Sequence, residues 1–476
     1  MNTMQRITKN ISVIFIAQIL NYFLAFFAMM YSARYLGVEN FGILSFASSL
    51  TSIFGICMGL GLGTLVIREV ARNKDLIGEY VSNTILIRGI MSLVTLGLIS
   101  LLILIAGYNE PTRTVIYLLA LFTVFSTIYQ IFYSVFQANQ QMEYQSVGTI
   151  LYSIILLGGV LLVIYLNGSV IGISAVYAVG GAAVLLYSFL IFSWKFPTPK
   201  FQFNPSKWKS LIHEAWPFAV SGISYNLYTS IDSVILSFIK GQEAVGLYTA
   251  SYRLILVLIF IPTIFNTAIF PLMSKYYVHS KDTLLFTFEK LFKIMFMLGL
   301  PIGVGTVIIA SKVILLLYGS AFLSSTLALQ ILIWSTVLMF ARSPFERLLE
   351  SSNRQIVITK ALIIGVVFNV TLNLMIIPFY GYVGASVVTV LTDVIVFTLL
   401  LRSIKGIGIS FSRDTKLSLL KIIIASAVMG IVLHYLSDMN LFLLIGVGAV
   451  IYLVLLLVMR IFDENEIKMI KSIFGK

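Results

Sequence analysis

What most constrains this chain is the recurrence of apolar runs about 20 residues long, the length a helix needs to cross a hydrocarbon layer. About fourteen such runs occur along the 476 residues, at roughly 11–31, 41–67, 84–106, 114–136, 147–166, 170–194, 215–239, 247–271, 291–310, 326–341, 356–377, 383–401, 417–437 and 441–459. The tenth is the shortest. Soluble domains are about half apolar and a quarter charged, whereas here 59% of residues are hydrophobic and 11% charged. An ordinary soluble enzyme, a disordered chain and a secreted scaffold are thereby excluded. Inside lipid each backbone polar group must be satisfied within its own segment, so these runs become helices. The expected fold class is all-α: a polytopic membrane helix bundle.

The basic residues give the orientation. With the N-terminus inside, 26 of the 32 Lys and Arg fall on cytoplasmic segments, including Arg342, Lys293, Lys421 and Arg460. The outer side holds only Arg34, Arg113, Lys240 and Lys312, while Arg88 and Arg253 fall inside runs. Positive-inside bias then predicts both termini in the cytoplasm of a cytoplasmic-membrane protein. It also accounts for the net charge of +13 without nucleic acid. The first run is too long for a signal-peptide core and lacks a small-residue cleavage site, so it reads as an uncleaved span.

Residues 195–214 form the longest internal polar stretch and divide the chain into 1–194, with six spans, and 215–401, with six more; 402–476 adds two spans and a tail. Asn204-Pro205 reads as a helix cap followed by proline at the first helical position. Trp208, Leu211 and Ile212 beside Lys207 and Lys209 predict a short helix lying on the inner membrane surface. The tail repeats that pattern with Ile467, Ile470 and Phe474 opposite Lys468 and Lys471. The two halves also match: Gly37, Glu39 and Gly42 recur 204 residues later as Gly241, Glu243 and Gly246. Gly168 to Gly172 before span six likewise resembles Gly381 to Gly384 before span twelve. Two six-span repeats start on the same side and are therefore parallel, an arrangement in which transporters carry substrate between halves.

Ionisable residues inside spans are costly and mark candidate sites. Four stand out: Arg88, Asp232, Arg253 and Asp393. Ser221, Tyr225, Tyr228 and Asp232 are spaced on one helical face. Arg253 is suited to a bidentate anion contact, with Arg34 as a second cation; the plain alternative is an Asp232–Arg253 pair. Arg88 reads as a snorkelling arginine or a further substrate contact. Asp393, after Thr389 and Thr392, reads as an ion-coupling site or as a buried carboxylate bonded to hydroxyls; Asp232 is the other coupling candidate. Asn369 and Asn373, four apart, suit interhelical hydrogen bonding. Pro217, Pro262, Pro271, Pro301 and Pro378 predict kinks. Gly55, Gly59, Gly61 and Gly63 predict close helix approach.

One cysteine, Cys57, and three scattered histidines, His213, His279 and His434, exclude a disulfide framework and a histidine-built metal centre. No Walker A motif is present. A membrane glycan polymerase or ligase would be expected to carry a large polar outer loop, which is missing.

Taken in order, Leu36-Gly37, Phe41-Gly42, Gly59 to Arg72, Pro217, Ile231-Asp232, Val245 to Tyr248, Arg253, Pro262, Pro271, Tyr318-Gly319, Asn369 to Asn373 and Pro378 to Ala385 resemble the polysaccharide exporters of the multidrug/oligosaccharidyl-lipid/polysaccharide superfamily, the Wzx-type O-antigen flippases. The resemblance spans nearly the whole chain. It implies a fourteen-helix, two-lobed transporter without a cofactor, moving a polyprenyl-pyrophosphate-linked oligosaccharide between leaflets. It implies coupling to a proton or sodium gradient, and work beside the polymerase and glycosyltransferases of the same pathway. It also implies a cavity lined by helices one, two, seven and eight, with Arg34, Asp232 and Arg253 near the pyrophosphate. A lipid II flippase or a multidrug exporter of the same superfamily is the alternative.

Overall fold

A computed structural model describes residues 3–196, 205–405 and 411–461. Those residues form fourteen α-helices and two 3₁₀ turns, with no strand among them. The chain divides into two compact units, Met1–Gly246 and Leu247–Lys476. The first holds α1 (Thr3–Gly59), α2 (Leu62–Arg72), α3 (Ile77–Ala106), α4 (Glu110–Ala138), α5 (Met142–Tyr165), α6 (Val170–Lys195) and α7 (Pro205–Lys240). The boundary falls within α8 (Gln242–Leu258). The second unit continues with α9 (Phe260–His279), α10 (Lys281–Tyr318), α11 (Ser325–Ser351), α12 (Gln355–Lys405), α13 (Arg413–Tyr435) and α14 (Leu441–Val458).

Eleven helices among the described residues are long and apolar enough to cross a membrane. Two are of double length, because short loops expected between runs are single-glycine breaks. Gly37 in α1 has φ 73°, and Gly381 in α12 has φ 53°. A residue without a Cβ turns the chain there at no steric cost. Outward faces are apolar, with Leu104, Ile105 and Tyr165 at 75%, 79% and 82% exposure. The first unit is closed by an aromatic core in which Phe132, Phe136, Phe192 and Phe196 pack ring on ring.

Three expectations change in the structure. The run at 247–271 is two helices, α8 and α9, parted at Ile259. Pro262 has no N–H to return to Leu258, so the ladder breaks just before it. The short tenth run is the full 27-residue α11, extended through Arg342 and Glu346 to Ser351. Hydropathy ended it early because it scores charges singly; here they are paired.

The third change concerns residues 205–214, expected to lie on the membrane surface. They are instead the first turns of α7 and dock on the first unit. Leu211 and Ala215 bury against Leu62, Leu65 and Ile87. The Trp208 indole donates to Asn83 Oδ1 at 2.9 Å, Lys207 pairs with Glu79, and Arg68 reaches Glu214 at 2.8 Å. Asn204 and the tail pattern at Ile467, Lys468, Ile470, Lys471 and Phe474 lie outside the described residues.

The structure also gives the repeated loop motif a packing role. A Cβ at Gly42 would stand 1.8 Å from the Gln242 carbonyl oxygen, and one at Gly246 would stand 2.1 Å from that of Val38. Gln242 lies 204 residues after Val38, the same offset that relates Gly246 to Gly42. The matched segments therefore pack on each other reciprocally, each through its own glycine.

Candidate functional site

The first unit encloses a cavity of about 440 Å³ walled by α1, α2, α3, α4, α6 and α7. The second half of α1 contributes Ser48, Thr51, Ser52, Gly55 and Gly59, a small and hydroxylated stripe at helical spacing. From α4 come Thr123, Ser126, Thr127 and Gln130; from α6, Tyr177; from α7, Phe218, Ala219, Gly222 and Asn226. Ser52 Oγ donates to Asn226 Oδ1 at 2.8 Å and ties the α1 and α7 walls together.

Arg88 of α3 is the charged group in this wall. It lies about three turns into its helix and is only 3% exposed, so the snorkelling reading is corrected. One guanidinium nitrogen, Nη1, donates to the Thr127 carbonyl oxygen. Nε is buried without a hydrogen-bond partner, and the described residues place no carboxylate within ion-pair distance of Arg88. An arginine at membrane depth costs about 2.5–3.5 kcal/mol on insertion scales. A cation held at that cost beside hydroxyls and amides suits an anionic, hydroxyl-rich ligand.

The glycines of this wall divide by role. Gly61 has φ 69°, and a Cβ there would lie 2.6 Å from the Ala219 backbone nitrogen, so it lets α2 approach α7. A Cβ at Gly55 would meet the Thr123 methyl at 2.7 Å. Gly59 and Gly222 face open space instead: their missing side chains are part of the cavity.

The other predicted residues are distributed as follows. On α7, Tyr228 and Asp232 are buried at 7% and 2% exposure, while Tyr225 is 62% exposed. None of the three lines the cavity; the face that does is one residue along, at Gly222 and Asn226. The Ser221 side chain lies outside the described residues. Arg34 on α1 is exposed. Arg253, in the second unit, is exposed on α8, one residue beyond Tyr252, whose ring stacks on Tyr248 at 5.5 Å.

Asp393 sits at the centre of a polar core in the second unit. Its carboxylate is fully buried and accepts from Arg342 Nη1 at 2.9 Å and from the Ser335 hydroxyl. Arg342, counted from sequence among the cytoplasmic charges, is 12% exposed within α11 and also meets Glu346 at 3.3 Å. Separately, Asn373 donates to Asn369 one turn away at 3.0 Å, and Asn369 donates to the Thr392 hydroxyl at 3.4 Å across the Gly381 break, so one of the two bonds joins the halves of α12 as expected of these amides. Thr389 bonds the Tyr248 hydroxyl at 3.0 Å.

Sequence reasoning missed Arg342 and the hydroxyl wall. The signal for the wall was present in Ser48, Thr51, Ser52, Gly55 and Gly59, whose glycines alone drew notice. Arg342 gave no such signal, because only its cross-helix partner marks it as internal.

Comparison with known proteins adds the following. The family model described as polysaccharide biosynthesis protein matches residues 7–277, and the MatE model matches residues 217–375. The chain is 24% identical over 469 residues to a probable low-salt glycan biosynthesis flippase, Agl15, of Haloferax volcanii, covering 96% of each chain. It is 21% identical to a putative O-antigen transporter of Shigella dysenteriae, over 83% of this chain and all of that one. Among solved structures, the lipid II flippase MurJ in an inward closed conformation matches with TM-score 0.75 at 17% identity, covering 92% of this chain and 97% of that one.

Proposed function

Since the chain belongs to the polysaccharide biosynthesis protein family, we propose that it is a flippase carrying a lipid-linked oligosaccharide across the cytoplasmic membrane by alternating access. It is a multi-pass membrane transporter rather than an enzyme. The names of its full-length relatives support this reading. Counting each glycine-broken helix as two crossings, and α7 as one more, gives fourteen spans. The lobes are then 1–194 and 215–401, with both termini in the cytoplasm, in keeping with the 26-to-4 charge bias.

One observation carries the site assignment: Arg88, buried without a compensating carboxylate in a wall of hydroxyls and amides. Arg88 holds the pyrophosphate and the hydroxyl groups of α1 and α4 meet the sugars; the exposed Arg34 and Arg253, each on its own unit, are further anion contacts in the transport cycle. Tyr225, Tyr228 and Asp232 lie off this wall, and their contact with substrate belongs to another stage of the alternating-access cycle. An organic-cation exporter would place a carboxylate in such a wall, and no residue lining this cavity carries one. Proton or sodium coupling through Asp393 requires release of Arg342 first; Asp232 is the second coupling candidate.

The test uses the purified chain in liposomes with a fluorescent polyprenyl-pyrophosphate oligosaccharide. Arg88→Ala abolishes leaflet exchange while expression and folding persist. Arg88→Lys restores part of it, because a point charge replaces the planar fork. Full activity of Arg88→Ala would remove Arg88 from the site, and exchange of organic cations alone would overturn the substrate class.

A further inference from the structure

A second polar cavity, of about 620 Å³, lies in the second unit at the ends of α10, α13 and α14 that the charge bias assigns to the cytoplasm. Lys290 and Lys293 of α10, Lys421 of α13 and Arg460 after α14 line it, against two acids, Glu289 and Asp414. Glu289 is already engaged. Its carboxylate accepts from the Ser412 backbone N–H at 2.9 Å and from the Ser412 and Thr415 hydroxyls, each at 2.5 Å, at the start of α13. The Lys293 ammonium is fixed at the rim by a 2.7 Å bond to the Ile461 carbonyl oxygen.

An apolar cavity of about 590 Å³ follows on the same three helices. In α10, Lys293 is followed at four-residue steps by Met297, Pro301 and Gly305; Tyr452 and Leu456 lie on successive turns of α14, and Arg460 follows two residues past the end of that helix. In α13, Met429 lies eight residues beyond Lys421. Met297 stands one turn from Lys293, and the Ile461 N–H of the basic cavity donates to the Leu456 carbonyl of the apolar one at 3.1 Å, so the two linings adjoin and the basic cavity is the mouth of the apolar one. The slot opens sideways: Ile445 and Leu453 in its wall are 49% and 54% exposed.

We propose that this composite cavity binds an anionic glycerophospholipid of the inner leaflet, its phosphate among Lys290, Lys293, Lys421 and Arg460 and an acyl chain in the slot. Charge complementarity selects the headgroup, and a basic pocket between transmembrane helices is a known form of lipid site. The apolar slot selects a ligand with a chain over free phosphate. The proposal stands apart from the flippase reading, since these residues are not in the Arg88 cavity.

The test is native mass spectrometry of the full chain in micelles, with phosphatidylglycerol or phosphatidylcholine added. One phosphatidylglycerol is retained in preference to phosphatidylcholine. Lys421→Gln with Arg460→Gln weakens it by about thirtyfold and leaves phosphatidylcholine unchanged. Gly305→Leu, which fills the slot where a Cβ meets only the Met429 methyl at 3.9 Å, weakens it independently and guards against a folding artefact in the charge variant. Equal binding of both lipids, or no loss in either variant, overturns the proposal. So does displacement by an equimolar polyprenyl phosphate, which would make this a carrier site. Binding that emerges only when Asp463, Glu464 and Glu466 are changed to amides overturns it too, assigning the cavity to the chain's own acidic run.

Discussion

Replacing Arg342 by leucine removes the cation from the polar core of the second unit and leaves Asp393 and Glu346 facing each other across the space. Asp393 is fully buried, with its carboxylate held by Arg342 Nη1 at 2.9 Å and by Ser335. Deleting one partner of a buried pair costs about 3–5 kcal/mol, because the remaining charge has neither water nor counter-ion. Protonation of Asp393 limits that loss. Asp393→Asn is milder: the amide still accepts from Ser335, and Arg342 keeps Glu346 at 3.3 Å. Its cost is that of one hydrogen bond to a charged group, about 1.5–3 kcal/mol. The double variant Arg342→Leu/Asp393→Leu recovers much of the larger loss, since an apolar pair replaces an ionic one at similar volume. Unfolding in mixed micelles with rising denaturing detergent, followed by the fluorescence of the four tryptophans, gives all three values, and Asp393→Leu measured beside them closes a double-mutant cycle. A coupling energy near zero, or Arg342→Leu no costlier than Asp393→Asn, would refute the compensated-pair reasoning.

Two further outcomes follow from backbone geometry, besides those for Arg88 and the lipid site. Gly42→Ala and Gly246→Ala each drive a methyl into a carbonyl oxygen, at 1.8 and 2.1 Å. Each should lower thermal stability, by about 1–3 kcal/mol or more; melting curves in which either variant is silent would undo the reciprocal packing. Gly59→Ala, facing open space, should leave the melting temperature unchanged, whereas Gly61→Ala, at φ 69° and 2.6 Å from Ala219, should lower it. The opposite ranking would contradict the division of roles drawn for the cavity wall.

The sequence could show how many apolar runs there are, because each must satisfy its own backbone in lipid. It showed less well where one helix ends. Gly37 and Gly381 look like loop residues but are single breaks in longer helices, and Pro262 splits a run that hydropathy reads as continuous. The site was legible in part. Arg88 is conspicuous as a charge among apolar residues, yet its distance from water depends on α4 and α2 packing against it. Asp393 is equally conspicuous, whereas its partner Arg342 sits beside Glu346 and Arg347 in what reads as a polar boundary. Pairing across helices is invisible in a linear pattern. The stripe of Tyr225, Tyr228 and Asp232 was placed on one face by spacing alone, and the lining face at Gly222 and Asn226 is a rotation of about 100° away.

Helix α7 is a single rod of 36 residues, about 54 Å long, and it is interrupted chemically rather than geometrically. Pro217 removes one rung of its hydrogen-bond ladder. On one side of that missing rung, Lys207, Trp208 and Glu214 are clamped to α2 and α3; on the other, Gly222 and Asn226 form the wall around Arg88. The helix is therefore a beam anchored at one end with a compliant joint a few residues past the anchor. Bending concentrates at the joint, so the half of α7 that carries the cavity wall is the half free to shift while the clamped end stays in place. Strain applied at the clamp is taken up at the joint before it reaches the cavity wall.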